Sequence, residues 1–278
     1  MAITVNTNMA ALTAQSALNK STNKMNTAME RMTTGYKINS SKDDAAGLAV
    51  SSNLEYKISS LKVAQNNAQM GASLLETTEG VMSTISDNLT RVRDLTEQAA
   101  NGTYGTDALK AINTEISARL AEVTRIANSA EFNGKKVLNG SMNNGVVLQV
   151  GIDGSDNSKI TLDAELFADA KADTLLGGAF TDFTDDTTAR AFLSKVDGAI
   201  AKITDRKTEI GGKQAAITSA MESAQVMQTN LTSANSLIKD ADIAEESSNY
   251  IKQQILQQTS ASLLATANQA PSIALNLV

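Results

Sequence analysis

The sequence predicts a mainly α chain, a long antiparallel coiled-coil or helical-bundle hairpin carrying a small β-hairpin insert. Three observations predict it. Apolar residues recur at seven-residue spacing towards both ends of the chain. The 42% apolar content is mostly Ala, Leu, Ile, Val and Met, with only 3% aromatic, which favours thin helix–helix seams over a bulky core. Glycines recur at 134, 140, 145, 151 and 154, so the texture changes only in the middle.

The elements follow in chain order. Ala11, Leu18, Met25 and Met32 lie seven residues apart, joined by Met29 and Tyr36 on the adjoining row. Gly35 and Asn39-Ser-Ser-Lys-Asp-Asp44 interrupt that helix, and Ser41-x-x-Asp44 matches a capping box for the next. A second row, Leu54, Leu61, Ala68, Leu75, Met82 and Leu89, runs to the break at Asn101-Gly-Thr-Tyr-Gly105. Thr106 or Asp107 is placed to cap a third helix carrying Leu109, Ile112, Ile116, Leu120, Val123 and Ile126.

Between about 132 and 180 the pattern is that of a hairpin-rich insert. Val146-Val-Leu-Gln-Val150 and Lys159-Ile-Thr-Leu162 read as strands around a turn at Asp153-Gly-Ser-Asp-Asn157. That turn lacks the ligand spacing and the twelfth-position Glu of a calcium loop.

The longest row is Ala189, Val196, Ile203, Ile210, Ile217, Ala224, Leu231 and Ile238. A helix of that length spans roughly 75 Å, and a strict seven-residue repeat keeps one seam facing a partner. Its neighbouring row is irregular (Leu193, Ile200, Lys207, Gln214, Met221, Gln228), as in a mixed bundle. Gly211-Gly212 sit inside it, as a site of close helix packing or a local flexible point, each weakening the helix by about 1 kcal/mol relative to Ala. After Lys239-Asp-Ala-Asp242 a last amphipathic helix carries Ile243, Tyr250, Ile251, Ile255, Leu256, Leu263 and Leu264. The two terminal segments have no partner nearby in sequence, so they are expected to pair with each other and leave further faces for neighbouring copies.

Composition excludes several functions. No His and no Cys means no zinc site and none of the usual nucleophile–base pairs, so neither a cofactor nor catalysis is expected. Ser21-x-x-Lys24 and Ser59-x-x-Lys62 have the spacing of serine acyl-enzymes but lack the accompanying Ser-Asp-Asn and Lys-Thr-Gly elements. A net charge of −6 disfavours nucleic acid. No run approaches the ~20 apolar residues of a membrane span, and Met1–Asn8 has neither the basic nor the apolar region of a cleavable signal peptide, so an extracellular destination would require another route of export.

A resemblance now stands on particular residues. Val5-Asn-Thr-Asn8, Ala28-Met-Glu-Arg-Met32, Gly35-Tyr-Lys-Ile-Asn-Ser40, Lys42-Asp-Asp-Ala-Ala-Gly-Leu48, Leu89-Thr-Arg-Val-Arg-Asp-Leu95 and Glu131-Phe-Asn-Gly-Lys-Lys-Val-Leu138 resemble the N-terminal half of bacterial flagellin. Ile255-Leu-Gln-Gln258 and Ala267-Asn-Gln-Ala-Pro271 resemble its C-terminus, and Leu275-Asn-Leu-Val278 matches loosely. Ile210-Gly-Gly-Lys-Gln-Ala-Ala216 departs from the family by lacking an Arg.

The resemblance implies a short flagellin without the large variable outer domains, a homopolymer of many copies in an extracellular motility filament. It implies an inner terminal-helix domain of residues 1–43 plus 238–278, which lines the filament core, and an outer helical bundle of 44–237. Intersubunit or inner-core packing then falls to Leu12, Leu18, Met25, Met29, Met32, Ile251, Ile255, Leu263 and Leu264. It further implies an unfolded chain leaving by flagellar type III export, with an export chaperone, a filament cap and junction proteins as partners. Arg91, Leu95 and Glu115 stand at the places used in the family for innate recognition by Toll-like receptor 5. The alternatives are a hook–filament junction protein and another secreted helical interaction protein.

Overall fold

In a computed structural model the chain is described from residue 7 to residue 275, with side chains from 7 to 269. The start of the Val5–Asn8 motif, the side chains of Ala270 and Pro271 and the end of the Leu275–Val278 motif lie outside the described residues. Among the described residues six α-helices and four short strands follow one another: α1 Met9–Thr34, α2 Ala45–Ala99, α3 Thr106–Ser129, β1 Glu131–Phe132, β2 Lys135–Lys136, β3 Val146–Gln149, β4 Lys159–Leu162, α4 Ala172–Leu176, α5 Asp186–Lys239 and α6 Ile243–Leu275. They make two compact units, Met1–Ile58 with Thr229–Val278, and Ser59–Gln228. Both boundaries fall inside helices, α2 and α5, near the division into 1–43 with 238–278 and 44–237 that the resemblance implies.

The first unit is built from chain ends. Asn8 caps α1, its side chain accepting from the Ala11 amide at 3.0 Å. Gly35 closes the helix at φ 75°, a left-handed conformation in which a Cβ is strained. The helix-breaking segments are stitched together: Lys37 N–H donates to Lys239 O at 2.7 Å, and Ala241 N–H to Gly35 O at 2.9 Å. Asp242 then caps α6, accepting from the Ala244 and Glu245 amides, with Glu245 and Glu246 in the first turn where the helix dipole favours negative charge. Asp44, not Ser41, caps α2: it accepts from the Gly47 amide at 2.9 Å. Ser51 Oγ donates to Asn235 of α5 at 2.7 Å.

In the second unit the seven-residue rows become core. Leu75, Met82 and Leu89 of α2, Ile116 and Val123 of α3, and Val196, Ile203, Ile210 and Ile217 of α5 are fully buried. The irregular row of α5 forms a half-buried flank whose polar members find partners: Lys207 donates to Ser83 at 3.4 Å and Gln214 to Glu79 at 3.2 Å. Gly211 and Gly212 are exposed with nothing within 4 Å of a Cβ, so close packing is not their role. The α3 cap also differs, Gly105 holding the N-cap without a side-chain bond and Thr106 being already helical.

The insert is more than a hairpin. β1 and β2 close a tight antiparallel pair, with Asn133 (φ 48°) and Gly134 (φ 78°) at its turn. β3 and β4 pair antiparallel from Val146↔Leu162 to Gln149↔Lys159. Between them the Asp153 carboxylate accepts from the Ser155 amide and from the Ser155 and Ser158 hydroxyls, which is a turn held by side chains. The short α4 was not expected; it ends on Gly177 at φ 70° and buries Leu175 and Leu176. Phe180, Phe183 and Phe192 stack edge-on or tilted at 5.2–5.5 Å, so three of the five Phe cluster where the insert returns to α5. Gly71 is buried under Leu148, and a Cβ there would collide with the leucine side chain.

Candidate assembly interface

Within the first unit α1 and α6 pack antiparallel along most of their lengths. The register is marked by three polar contacts: Asn8 Nδ2 to Ala267 O at 2.7 Å, Gln257 Nε2 to Thr22 Oγ1 at 3.0 Å, and Arg31 Nη1 to Glu246 Oε1 at 2.9 Å. Positions facing the partner alternate at three and four: 11, 14, 18, 21, 25, 28 and 32 on α1, and 246, 250, 253, 257, 260, 264 and 267 on α6. One row of α1 carries the apolar residues and the other is small, Ala14, Ser21 and Ala28. The seam is therefore thin and partly polar, with Ser21, Ser260 and Glu246 among its buried members.

The nine predicted packing residues divide in two. Leu18, Met25, Met32 and Leu264 are half-buried on the seam between the two helices, so their apolar surface is spent within the chain. Leu12 (61% exposed), Met29 (50%), Ile251 (53%), Ile255 (61%) and Leu263 (58%) face away from it. Ile251 and Ile255 are four apart and Leu263 lies on the same four-residue row, so they form one ridge of the kind that packs into a neighbouring helix's groove. Leu263 of the ridge and Met9 of α1 border a shallow groove of about 690 Å³ whose other members are small, Ala10, Ala14 and Ala17 of α1 and Ser260 and Ala267 of α6 among them. Single exposed apolar side chains are ordinary, whereas a ridge next to a small-residue groove is a docking shape.

Sequence reasoning missed the polar members of the seam. Their signal was present: Ser21, Glu246 and Ser260 occupy heptad positions, but an apolar count passes over them.

The second predicted set lies in the other unit. Arg91 Nε donates to Glu115 Oε1 at 3.0 Å, both side chains over a third exposed, and Arg119 lies 4.0 Å from the same carboxylate. Leu95 does not join them. It is 2% exposed in the core shared by α2 and α3, because it continues the inward face of Leu89 and Val92, and it offers no surface for contact in the subunit.

Terminal helices that pair through a thin seam and turn a second apolar face outward define a helical assembly subunit. Comparison with known proteins makes the class specific. Residues 5–143 match the bacterial flagellin N-terminal helical region and residues 193–278 the C-terminal helical region. The chain is 34% identical to the flagellin of Serratia marcescens over the whole of both chains, and 34% identical to that of Bacillus subtilis over 99% of each. Its fold is similar to the crystal structure of Bacillus cereus flagellin, with a TM-score of 0.50 and 29% identity over 57% of this chain and 88% of that one. The chain belongs to the bacterial flagellin family. It is a structural, self-polymerising subunit of the extracellular flagellar filament and not an enzyme. Among the described residues no helix is long and apolar enough to cross a membrane.

Proposed function

We propose that the α1–α6 pair is the element through which copies polymerise, with residues 1–43 and 238–278 lining the filament core and 44–237 forming the outer domain. The ridge of Ile251, Ile255 and Leu263, with Leu12 and Met29 on α1, packs against the terminal helices of adjacent copies, while Leu18, Met25, Met32 and Leu264 hold the pair itself together. The single observation that carries this is that five of the large apolar residues of the terminal helices, Leu12, Met29, Ile251, Ile255 and Leu263, stay exposed while the seam is already filled by others. Burying about 25 cal/mol per Å² of such surface is the natural driving force for assembly.

The same reading extends to the chain's route. A thin seam and the absence of Cys suit a subunit that passes unfolded through the flagellar type III export apparatus, escorted by a chaperone, and folds beneath a filament cap next to junction proteins. Arg91 and Glu115, without Leu95, are the residues this subunit presents for contact with Toll-like receptor 5.

Deletion tests the proposal. Chains lacking 1–36 or 243–278 should stay soluble and helical by circular dichroism yet fail to form filaments under the electron microscope when seeded. Filaments from either truncated chain overturn it.

A further inference from the structure

The chain contains four Asn-Gly pairs, at 101, 133, 139 and 144, all outside the helices. Such a pair can cyclise: the glycine nitrogen loses its proton and bonds to the asparagine Cγ, the Cγ–Nδ2 bond breaks, and ammonia leaves with the proton. Water then opens the succinimide at either carbonyl, giving Asp or isoAsp. Glycine permits the attack because no Cβ shields its nitrogen. The structure treats the four pairs differently.

At Asn144 the nucleophile is tied down. Gly145 N–H donates to Met142 O at 3.0 Å, and the glycine is packed against the Leu162–Ala164 backbone. At Asn133 the glycine N–H has no acceptor among the described residues, but the residue is fixed in the left-handed turn of β1–β2 and its side-chain carbonyl accepts no hydrogen bond from them. At Asn139 the Oδ1 accepts from the Ser141 amide at 3.0 Å, which polarises the carbonyl under attack, yet the pair is half-buried. Asn101 combines what the others divide. Its Oδ1 accepts from the Thr103 amide at 3.3 Å, nothing among the described residues accepts the Gly102 N–H, and residues 101–106 are all exposed to the water that completes the reaction.

We infer that Asn101 is a site of spontaneous deamidation, an ageing mark written on the subunit by water alone. The product matters locally. It places a new carboxylate two residues beyond Ala99, at the end of α2 where the helix dipole opposes negative charge. The Asp186 carboxylate lies 4.0 Å from where a Gly102 Cβ would stand, so the new charge also meets a like neighbour. IsoAsp adds a methylene to the backbone of the turn in which Tyr104 N–H donates to Asn101 O. The inference does not depend on how copies polymerise.

The test is peptide mass spectrometry of full-length subunits and of assembled filaments, aged at mildly alkaline pH, beside the same chain aged in urea. In the native subunit Asn101 should convert first into a mixture of Asp and isoAsp, Asn139 next, and Asn144 last. In urea the four should converge, since each is followed by glycine. Gly102→Ala, whose Cβ meets no atom closer than 4.0 Å, should remove most of the Asn101 conversion and leave that at Asn139 unchanged. Conversion of Asn144 as early as Asn101 in the native chain, or the same order with and without urea, overturns the inference. A native Asn101 that stays intact while Asn139 converts does so too.

Discussion

Ile210 shows what one residue contributes. It is fully buried among the α2 and α5 rows, so Ile210→Ala removes its apolar surface and leaves a cavity, costing about 2–5 kcal/mol. A fall in the urea midpoint of unfolding checks this, and filament seeding at a concentration that keeps the subunit folded should persist. Charged residues behave differently. A hydrogen bond from Lys239 holds the Glu55 carboxyl below its ordinary value, a hydrogen bond and the charge of Lys213 do the same for Asp163, and a hydrogen bond from Arg125 for Glu122. Each depressed carboxyl stabilises the fold above its unfolded value and loses that contribution as pH falls through the lower folded one. Melting temperature should therefore be flat from pH 7 to about 5 and decline below about 4. A melting point that rises on acidification contradicts the sign. Each exposed pair contributes little, so the decline is shallow and weakens in high salt.

At the level of elements, the helices are set by their ends as much as by their rows. Gly35 sits at φ 75° with nothing within 4 Å of a Cβ, so Gly35→Ala meets no clash and only backbone strain. The expected cost is about 1 kcal/mol, read as a lower melting temperature of the full chain. An unchanged melting temperature would mean that the link between α1 and α2 relaxes to another conformation. Arg31–Glu246 belongs to the same scale. Glu246 is 8% exposed and its bond to Arg31 fixes the register of α1 against α6, because a carboxylate buried that far needs a charged donor.

For the whole molecule the decisive question is which apolar surface the chain keeps and which it leaves. Ile251→Asp with Ile255→Asp alters two side chains more than half exposed, so subunit melting should change by no more than about 0.5 kcal/mol. Burying two uncompensated carboxylates at a contact between copies is costly, so seeded polymerisation should be lost. Sedimentation after seeding separates these outcomes. Pelleted filaments from the double variant would remove the ridge from the interface.

The sequence by itself determined the helices and their inward rows. Leu75, Met82 and Leu89, or Ile203, Ile210 and Ile217, must share a face at seven-residue spacing, and that face must be covered. It also carried the family, through motifs collinear from 5 to 143 and from 193 to 278. Only the tertiary structure decided what covers each row. A repeat states that one side of a helix is buried but not against which partner, so Leu18 and Met25 turned out to be taken by α6 within the chain while Ile255 stayed open. The same limit hid Leu95: a leucine in a surface-like motif becomes core once α3 lies across it. α4 and the phenylalanine cluster were illegible because their order comes from packing on α3 and α5, contacts made across long sequence separations that no local pattern encodes.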